Sequence, residues 1–349
     1  MPTIRKRGDC QFQAIVRRQG FPPQTKTFIS RKEAEAWAAR IESEMLAGSF
    51  SSPTESSKTP LGELLIRYGR EISPEKKGEA LELLRIKKLL VDPISQVKIS
   101  ALNGVAVAQY RNRRLTGNGQ QKPVSGSTVN RELTLLSHVI SIASKEWGFH
   151  IPVNPVSQIR RPKENRARNR RLHGDEEKRL LTELEPSQRA ESGVYQPGGC
   201  RNKYVLPVVV LAIETAMRRS EILSLRWPDI HLADRYVRLH DTKNGEARDV
   251  PLSRRAVQTL SKLSNGPRHS SGRVLPITPE ALKKAFVRAC ERAGIVDLHF
   301  HDLRHEATSR IAERLDNVLE LSAVTGHKTV QMLKRYYHPR ATDLARKLG

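Results

Sequence analysis

The stretch that decides the reading runs from Leu298 to His338, LHFHDLRHEATSRIAERLDNVLELSAVTGHKTVQMLKRYYH. His301 and Arg304 lie three positions apart and share one face of a helix. Gly326 suits the end of a helix, and His327 follows it directly. Tyr336 comes nine positions after His327 and two before His338. An imidazole, a guanidinium and a phenol converging on one point imply phosphoryl-transfer chemistry. Arginine matches phosphate with a planar fork of donors, histidine carries a proton near neutrality, and a tyrosine oxygen can act as a covalent nucleophile.

Each of these residues also has a plainer reading. His301 is placed to cap a helix, and His305, one step beyond Arg304, reads as structural. Tyr337 competes with Tyr336. Val330, Leu333 and Tyr337 fall on one apolar helical face expected to pack inward. That leaves Tyr336 about 100° away, on the polar side.

Three motifs in order give the stretch its meaning. His301-Asp302-Leu303-Arg304 reads H-x-x-R, and Gly326-His327 followed by Tyr336 reads G-H then Y. Upstream, Thr215 to Glu221 reads TAMRRSE, close to T-G-x-R-x-x-E with Ala216 in place of glycine. Arg219 competes with Arg218 for the arginine position, but Thr215 and Glu221 both fix the register on Arg218. The motifs stand about 85 and 22 positions apart. This pattern resembles the tyrosine recombinases, the phage-integrase family, well over 172–349 and more loosely over 59–148. From the core domain onward the chain is most similar to shufflon-type DNA invertases, which lack an N-terminal segment of this kind.

Composition agrees with a polyanionic partner. The chain has 349 residues, with 61 Lys and Arg against 37 Asp and Glu, a net charge of +24 and a pI near 10.3. Such a balance points to nucleic acid, though charge alone does not separate DNA from RNA. Cys10, Cys200 and Cys290 are widely spaced and form neither a metal-ligand pattern nor a disulfide framework. They read as reduced, structural thiols. The longest apolar run, Tyr204 to Ile213, is too short to span a bilayer, and the basic N-terminus lacks an apolar signal core. A cytoplasmic, nucleoid-associated protein is expected.

The length suggests several domains, mainly α with small β elements. Residues 1–50 read as strand, strand, helix, with Phe12, Ala14 and Val16 on one face. Ser30-Arg31-Lys32-Glu33 forms a capping box ahead of Ala34, Trp37, Ile41 and Met45. The sheet would carry Arg17, Arg18 and Lys26 into a DNA groove. A Ser-rich linker leads to a four-helix module over 59–150. Its helices start at Thr59-Pro60, after Ser73-Pro74 with Leu81, Leu84 and Leu89 as apolar positions, after Ser100, and after Ser127. Arg111, Arg113, Arg114, Lys122 and Arg131 are its phosphate-contact candidates. A basic linker over 151–171 supplies Arg166, Arg168 and Arg170, and is expected to stay extended until DNA orders it. In 172–349, a buried helix over 202–215 precedes Arg218. Asn244-Gly245 marks a hairpin turn, and Lys243 stands directly before it.

The family resemblance supplies the rest. It implies a mixed α/β catalytic domain over 172–349, a SAM-like core-binding domain over 59–150 that clamps the duplex, and an arm-type DNA-binding domain over 1–50. The small N-terminal module is otherwise read as a non-specific DNA binder or as docking on its own catalytic domain. It implies that Tyr336 attacks a scissile phosphate and forms a 3′-phosphotyrosyl bond, with Arg218 and Arg304 gripping the non-bridging oxygens. Lys243 would protonate the leaving 5′ oxygen, His301 would take the tyrosine proton, and His327 would donate to the phosphate. Two guanidinium groups should lower the phenol from its free value of about 10. No cofactor and no metal are called for. The partners implied are double-stranded DNA, a homotetramer on paired sites, and host or element-encoded accessory DNA-bending proteins. After Pro339, Leu344 and Leu348 offer one apolar face for docking on a neighbouring protomer, with docking on its own domain as the alternative. Integration and excision of a mobile element is the first functional reading. Inversion between repeats, a type IB topoisomerase and a non-catalytic DNA-binding protein are the rivals.

Overall fold

The computed structural model describes residues 2–47, 53–117, 122–165, 168–240, 247–266, 269–315, 317–336 and 345. Lys243, Asn244-Gly245, Arg166, Tyr337, His338, Leu344 and Leu348 therefore lie outside the described residues. The chain divides into two compact units, 1–166 and 167–349.

The first unit holds two separate apolar cores. Its N-terminal part is a three-stranded antiparallel sheet, β1 Thr3–Gly8, β2 Gln11–Val16 and β3 Gln24–Phe28. Helix α1, Arg31–Leu46, follows. The sequence missed β1, because TIRKRG is an edge strand with one part-buried residue, Ile4, and carries no apolar alternation. Ser30 caps α1 by accepting from Glu33 N, and Ala14, Val16, Ala34, Ala38, Ile41 and Met45 form the core.

After the short α2, Pro53–Lys58, the helical part contains α3 Leu61–Glu71, α4 Glu79–Val91, α5 Gly104–Thr116 and α6 Gly126–Lys145. Four long helices are as expected, but several starts and one face differ. The cap of α5 is Asn103, which accepts from Ala106 N at 3.0 Å. Ser100 instead lies in a 3₁₀ turn. The cap of α6 is Ser125, not Ser127. Gly126 is required there, since a Cβ would stand 2.2 Å from Lys163 O. On α4, Leu81 and Leu84 are exposed and the core takes Ile86 and Leu89. Leucine occurs all round ELLRIKKLL, so spacing alone could not choose the face.

The linker is not a free strand. Arg161 donates to Asn130 O, Asn130 Nδ2 donates to Pro162 O, and Arg111 donates to Arg160 O at 2.7 Å. Residues 160–165 thus lie against α5 and α6, because the ends of those helices supply the partners their backbone needs.

The second unit contains α7 Glu176–Leu184, the apolar α8 Val205–Thr215 and α9 Arg219–Ser224. A small antiparallel sheet follows, β4 Ile230–His231, β5 Tyr236–Leu239 and β6 Arg248–Pro251. Then come α10 Arg254–Ser264, α11 Pro279–Arg292, α12 Asp302–Ala312, α13 Val318–Thr325 and α14 Val330–Leu333. One core centred on α8 unites the elements from α7 to α12. The two-residue β4 was invisible to a pattern search. On α14, Leu333 is buried but Val330 is exposed, against the expected inward face.

Cys200 and Cys290 are buried free thiols, and burial pushes Cys290 up to about 11. Cys10 is exposed, so it is not a core residue. Among the described residues, no helix is long and apolar enough to cross a membrane.

Candidate active site

The end of α8 builds the first wall of the site. Thr215 returns its hydroxyl to Leu211 O at 2.6 Å. Ala216 then takes a left-handed backbone, φ 53, the conformation for which glycine is the ordinary choice. That reversal brings Arg218 to the start of α9, with Glu221 at the third helical position. Glu221 accepts from Arg218 N at 2.8 Å and from Arg218 Nη1 at 2.7 Å.

A third residue, unmarked by any motif, completes this pair. Arg248 on β6 donates to both oxygens of Glu221, at 3.1 and 2.8 Å. Its Nε is buried without a partner. Gly326 makes room for it, since a Cβ there would stand 2.9 Å from the guanidinium carbon. Burial alone would raise the Glu221 carboxyl, but hydrogen bonds from Arg248 and Arg218 outweigh it and hold the group at about 2. Sequence reasoning missed Arg248; the usable signal was its place on the strand expected directly after Asn244-Gly245.

Arg304 enters from α12 and is 5% exposed. It donates to Ala216 O and, at 2.6 Å, to Thr325 O. It thereby ties the ends of α8 and α13 together without a carboxylate of its own. Burial and the Arg218 charge lower it to about 10, still a cation at neutral pH.

Gly326, φ 68, closes α13 and turns His327 into the site. Thr325 donates its one hydroxyl proton to Leu321 O at 2.7 Å. The 2.6 Å bond between Thr325 Oγ1 and His327 Nδ1 must then use the ring proton. Burial, then the charges of Arg304 and Arg218, lower His327 to about 4. The neutral ring carries its lone pair on Nε2. The expected donation to phosphate therefore requires protonation first.

Tyr336 follows α14, with its N–H on Leu333 O at 2.8 Å. Its ring lies 6.0 Å from that of His327 and 5.7 Å from that of His305, nearly parallel to the latter. Its hydroxyl hydrogen-bonds to His305 Nδ1. This corrects one expectation: the phenol is raised rather than lowered, because burial outweighs the charges of Arg335 and Arg304. His301 is exposed, and its ring meets that of His305 edge-on at 5.1 Å.

The structure thus gathers Arg218, Arg304, His327 and Tyr336, with His301 beside His305. The DNA-contact candidates divide. Arg17, Arg18, Lys26, Lys122 and Arg131 are exposed. Arg111 is spent in part on Arg160 O. Arg113 pairs with Asp92 at 2.6 Å. Arg114 is 3% exposed and forks onto Glu132, so it presents nothing to a phosphate. Arg168 binds Asp302 and Asp297, and Arg170 binds Glu176. These two hold the linker to the second unit, because each faces a carboxylate there. Among the described residues, no cluster of three or more His, Cys, Asp or Glu could hold a metal ion.

The phage integrase family profile matches residues 170–343. The shufflon-specific DNA recombinase of Escherichia coli is 40% identical over 294 residues, covering 83% of this chain and 72% of that protein. A putative integrase/recombinase of Haemophilus influenzae is 31% identical and covers 99% and 88%. In fold, the chain superposes on the Tn1549 transposon integrase, solved with circular intermediate DNA, with a TM-score of 0.64, 16% identity and coverage of 84% and 100%. It superposes on lambda integrase, solved as a dimer on a COC′ core site, with a TM-score of 0.62, 20% identity and coverage of 98% and 95%. The chain belongs to the phage integrase family and is a tyrosine site-specific recombinase, an enzyme that breaks and rejoins DNA.

Proposed function

We propose that Tyr336 is the nucleophile and that this chain integrates and excises a mobile element. The observation that carries the assignment is that Tyr336 stands beside His305 and His327, while Arg218 and Arg304 meet at the adjoining Thr325-Gly326 turn. Arg218, Arg248 and Arg304 face a single carboxylate, Glu221. The surplus positive charge fits a scissile phosphodiester and the charge that grows on its non-bridging oxygens in the transition state. Tyr336 Oη bonds to phosphorus, the 5′ oxygen leaves, and Lys243 is the candidate to protonate it. His327 becomes a donor once phosphate binding restores its proton. Bond energy stays in the phosphodiester, so the reverse attack by a 5′-hydroxyl needs no cofactor.

The organisation proposed is an arm-type DNA-binding domain over 1–50, a core-binding domain over 59–150 and a catalytic domain over 172–349. Full-length superposition on lambda integrase, which includes the N-terminal sheet, supports the first assignment. Assembly as a tetramer on paired sites is supported by the lambda integrase tetramer on a Holliday junction, which matches in fold. Accessory DNA-bending proteins and a nucleoid location complete the reading. A second reading, inversion between repeats, is favoured by the identity to the shufflon recombinase.

The test uses a nicked suicide substrate that traps the covalent intermediate. Tyr336→Phe should bind DNA and form no adduct, whereas Tyr337→Phe should form it. The reverse pattern would sink the assignment. Plasmids carrying either inverted repeats or an attachment-site pair then separate inversion from integration.

A further inference from the structure

We propose that His305 is a catalytic residue, the acceptor of the Tyr336 hydroxyl proton as the phosphotyrosyl bond forms. This rests on Tyr336 being the nucleophile, and it moves to His305 the proton that the family resemblance gave to His301. The hydroxyl hydrogen-bonds to His305 Nδ1, and the two rings stack at 5.7 Å with a 23° angle. With the phenol as donor, Nδ1 holds the lone pair and Nε2 the proton. Among the described residues, no other base in the site is so placed. Glu221 is bound by Arg218 and Arg248. Asp302 is turned to Arg168 and to His299 N. His327 has Nδ1 engaged with Thr325, and its ring stands further off and tilted. His301 is exposed, and its ring meets that of His305 edge-on. Arg218, Arg248, Arg304 and Arg335 are cations and accept nothing.

The step balances. The bond from Tyr336 Oη to phosphorus forms, the bond from phosphorus to O5′ breaks, and the tyrosine proton passes to His305 Nδ1. The leaving 5′ oxygen takes its own proton from the general acid. In rejoining, a 5′-hydroxyl attacks phosphorus, and the imidazolium returns the proton to the departing phenolate. One residue thus serves as base and then as acid, as reversibility requires. In the free site, burial first, then His301 and Arg335, hold His305 at about 4. A bound phosphodiester brings a negative charge among those cations, so the ring gains basicity when substrate arrives.

The experiment measures single-turnover cleavage of the nicked suicide substrate by the full-length protein, with DNA affinity and thermal melting followed in parallel. His305→Ala should lose roughly 10²–10⁴-fold in cleavage rate, the range for a positioned general base, with affinity unchanged. Added imidazole should restore part of the loss. His305→Asn, which keeps a hydrogen-bonding group but cannot hold the proton, should stay slow and guards against a folding defect in the alanine variant. Wild-type cleavage by His305→Asn would overturn the proposal, as would imidazole rescue of His301→Ala but not of His305→Ala. Tyr336→Phe separates the two layers. An adduct formed by Tyr336→Phe would sink the nucleophile reading itself, whereas inactive Tyr336→Phe beside fully active His305→Asn sinks the base alone.

Discussion

Glu132 in the helical unit and Glu221 in the catalytic unit are both buried carboxylates that hold arginine, yet their surroundings differ in charge. Glu132 takes a two-pronged grip from Arg114 at 2.9 and 2.8 Å and a hydrogen bond from Tyr110 at 2.8 Å. One cation meets one anion, and the phenol fills the remaining valence. Glu221 instead serves Arg218 and Arg248, while Arg304 nearby donates, among the described residues, to main-chain carbonyls. Three cations share one anion. A closed pair fixes helices to each other; an open, positively charged cluster has work left for a phosphate. The lesson is that a buried arginine announces a binding site only when its charge is left unbalanced.

Breaking each cluster should therefore give opposite results. Arg304→Ala should lower adduct formation by roughly 10²–10³-fold, the scale for removing a donor to a transition-state oxyanion, in a protein that still binds DNA. Arg114→Ala should strand Glu132 and destabilise the helical unit by about 3–5 kcal/mol, read in denaturant melts, while cleavage by the folded fraction stays normal. Equal loss of cleavage chemistry in both folded variants would erase the distinction.

Arg248 sharpens the comparison. It touches Glu221 and packs on Gly326 rather than facing the Tyr336 ring, so it is a positioning residue. Arg248→Ala should reduce the cleavage rate roughly 10-fold, the scale of one lost charge-assisted hydrogen bond. Arg248→Lys should recover part of that, because one donor can still reach Glu221. Unchanged cleavage in Arg248→Ala would leave Arg218 fixed by Glu221 alone.

The smallest effect concerns Ala216. A left-handed alanine is strained, and glycine relieves the strain while loosening the unfolded chain. Ala216→Gly should raise stability by up to about 1 kcal/mol with cleavage kept. A clear loss of stability would show that the methyl group packs for more than its backbone costs.

The site was legible where chemistry and spacing coincide. Arg218, Arg304, His327 and Tyr336 come from three short motifs whose order a chain does not produce by accident, and the fold brings them together. Arg248 and His305 were not legible, because their roles come from where β6 and α12 meet the Gly326 turn. Neighbouring letters hold no record of that. The helix caps at Asn103 and Ser125 were displaced for a similar reason, since SALN offers Ser100 and Asn103, SGST offers Ser125, Ser127 and Thr128, and tertiary contacts choose among them. Charge alone did not reveal the linker's partners: Arg168 and Arg170, candidates for DNA contact, face Asp302 and Glu176.

The central claim is that the open arginine cluster exists to receive a phosphate attacked by Tyr336. Its most direct test is to trap the covalent complex, digest the DNA and protein, and locate the phosphotyrosyl group by tandem mass spectrometry. The account predicts the mark on Tyr336 in the wild type, and the same mark reduced roughly 10²–10³-fold in Arg304→Ala. A mark on Tyr337, or an undiminished mark on Tyr336 in Arg304→Ala, would contradict it.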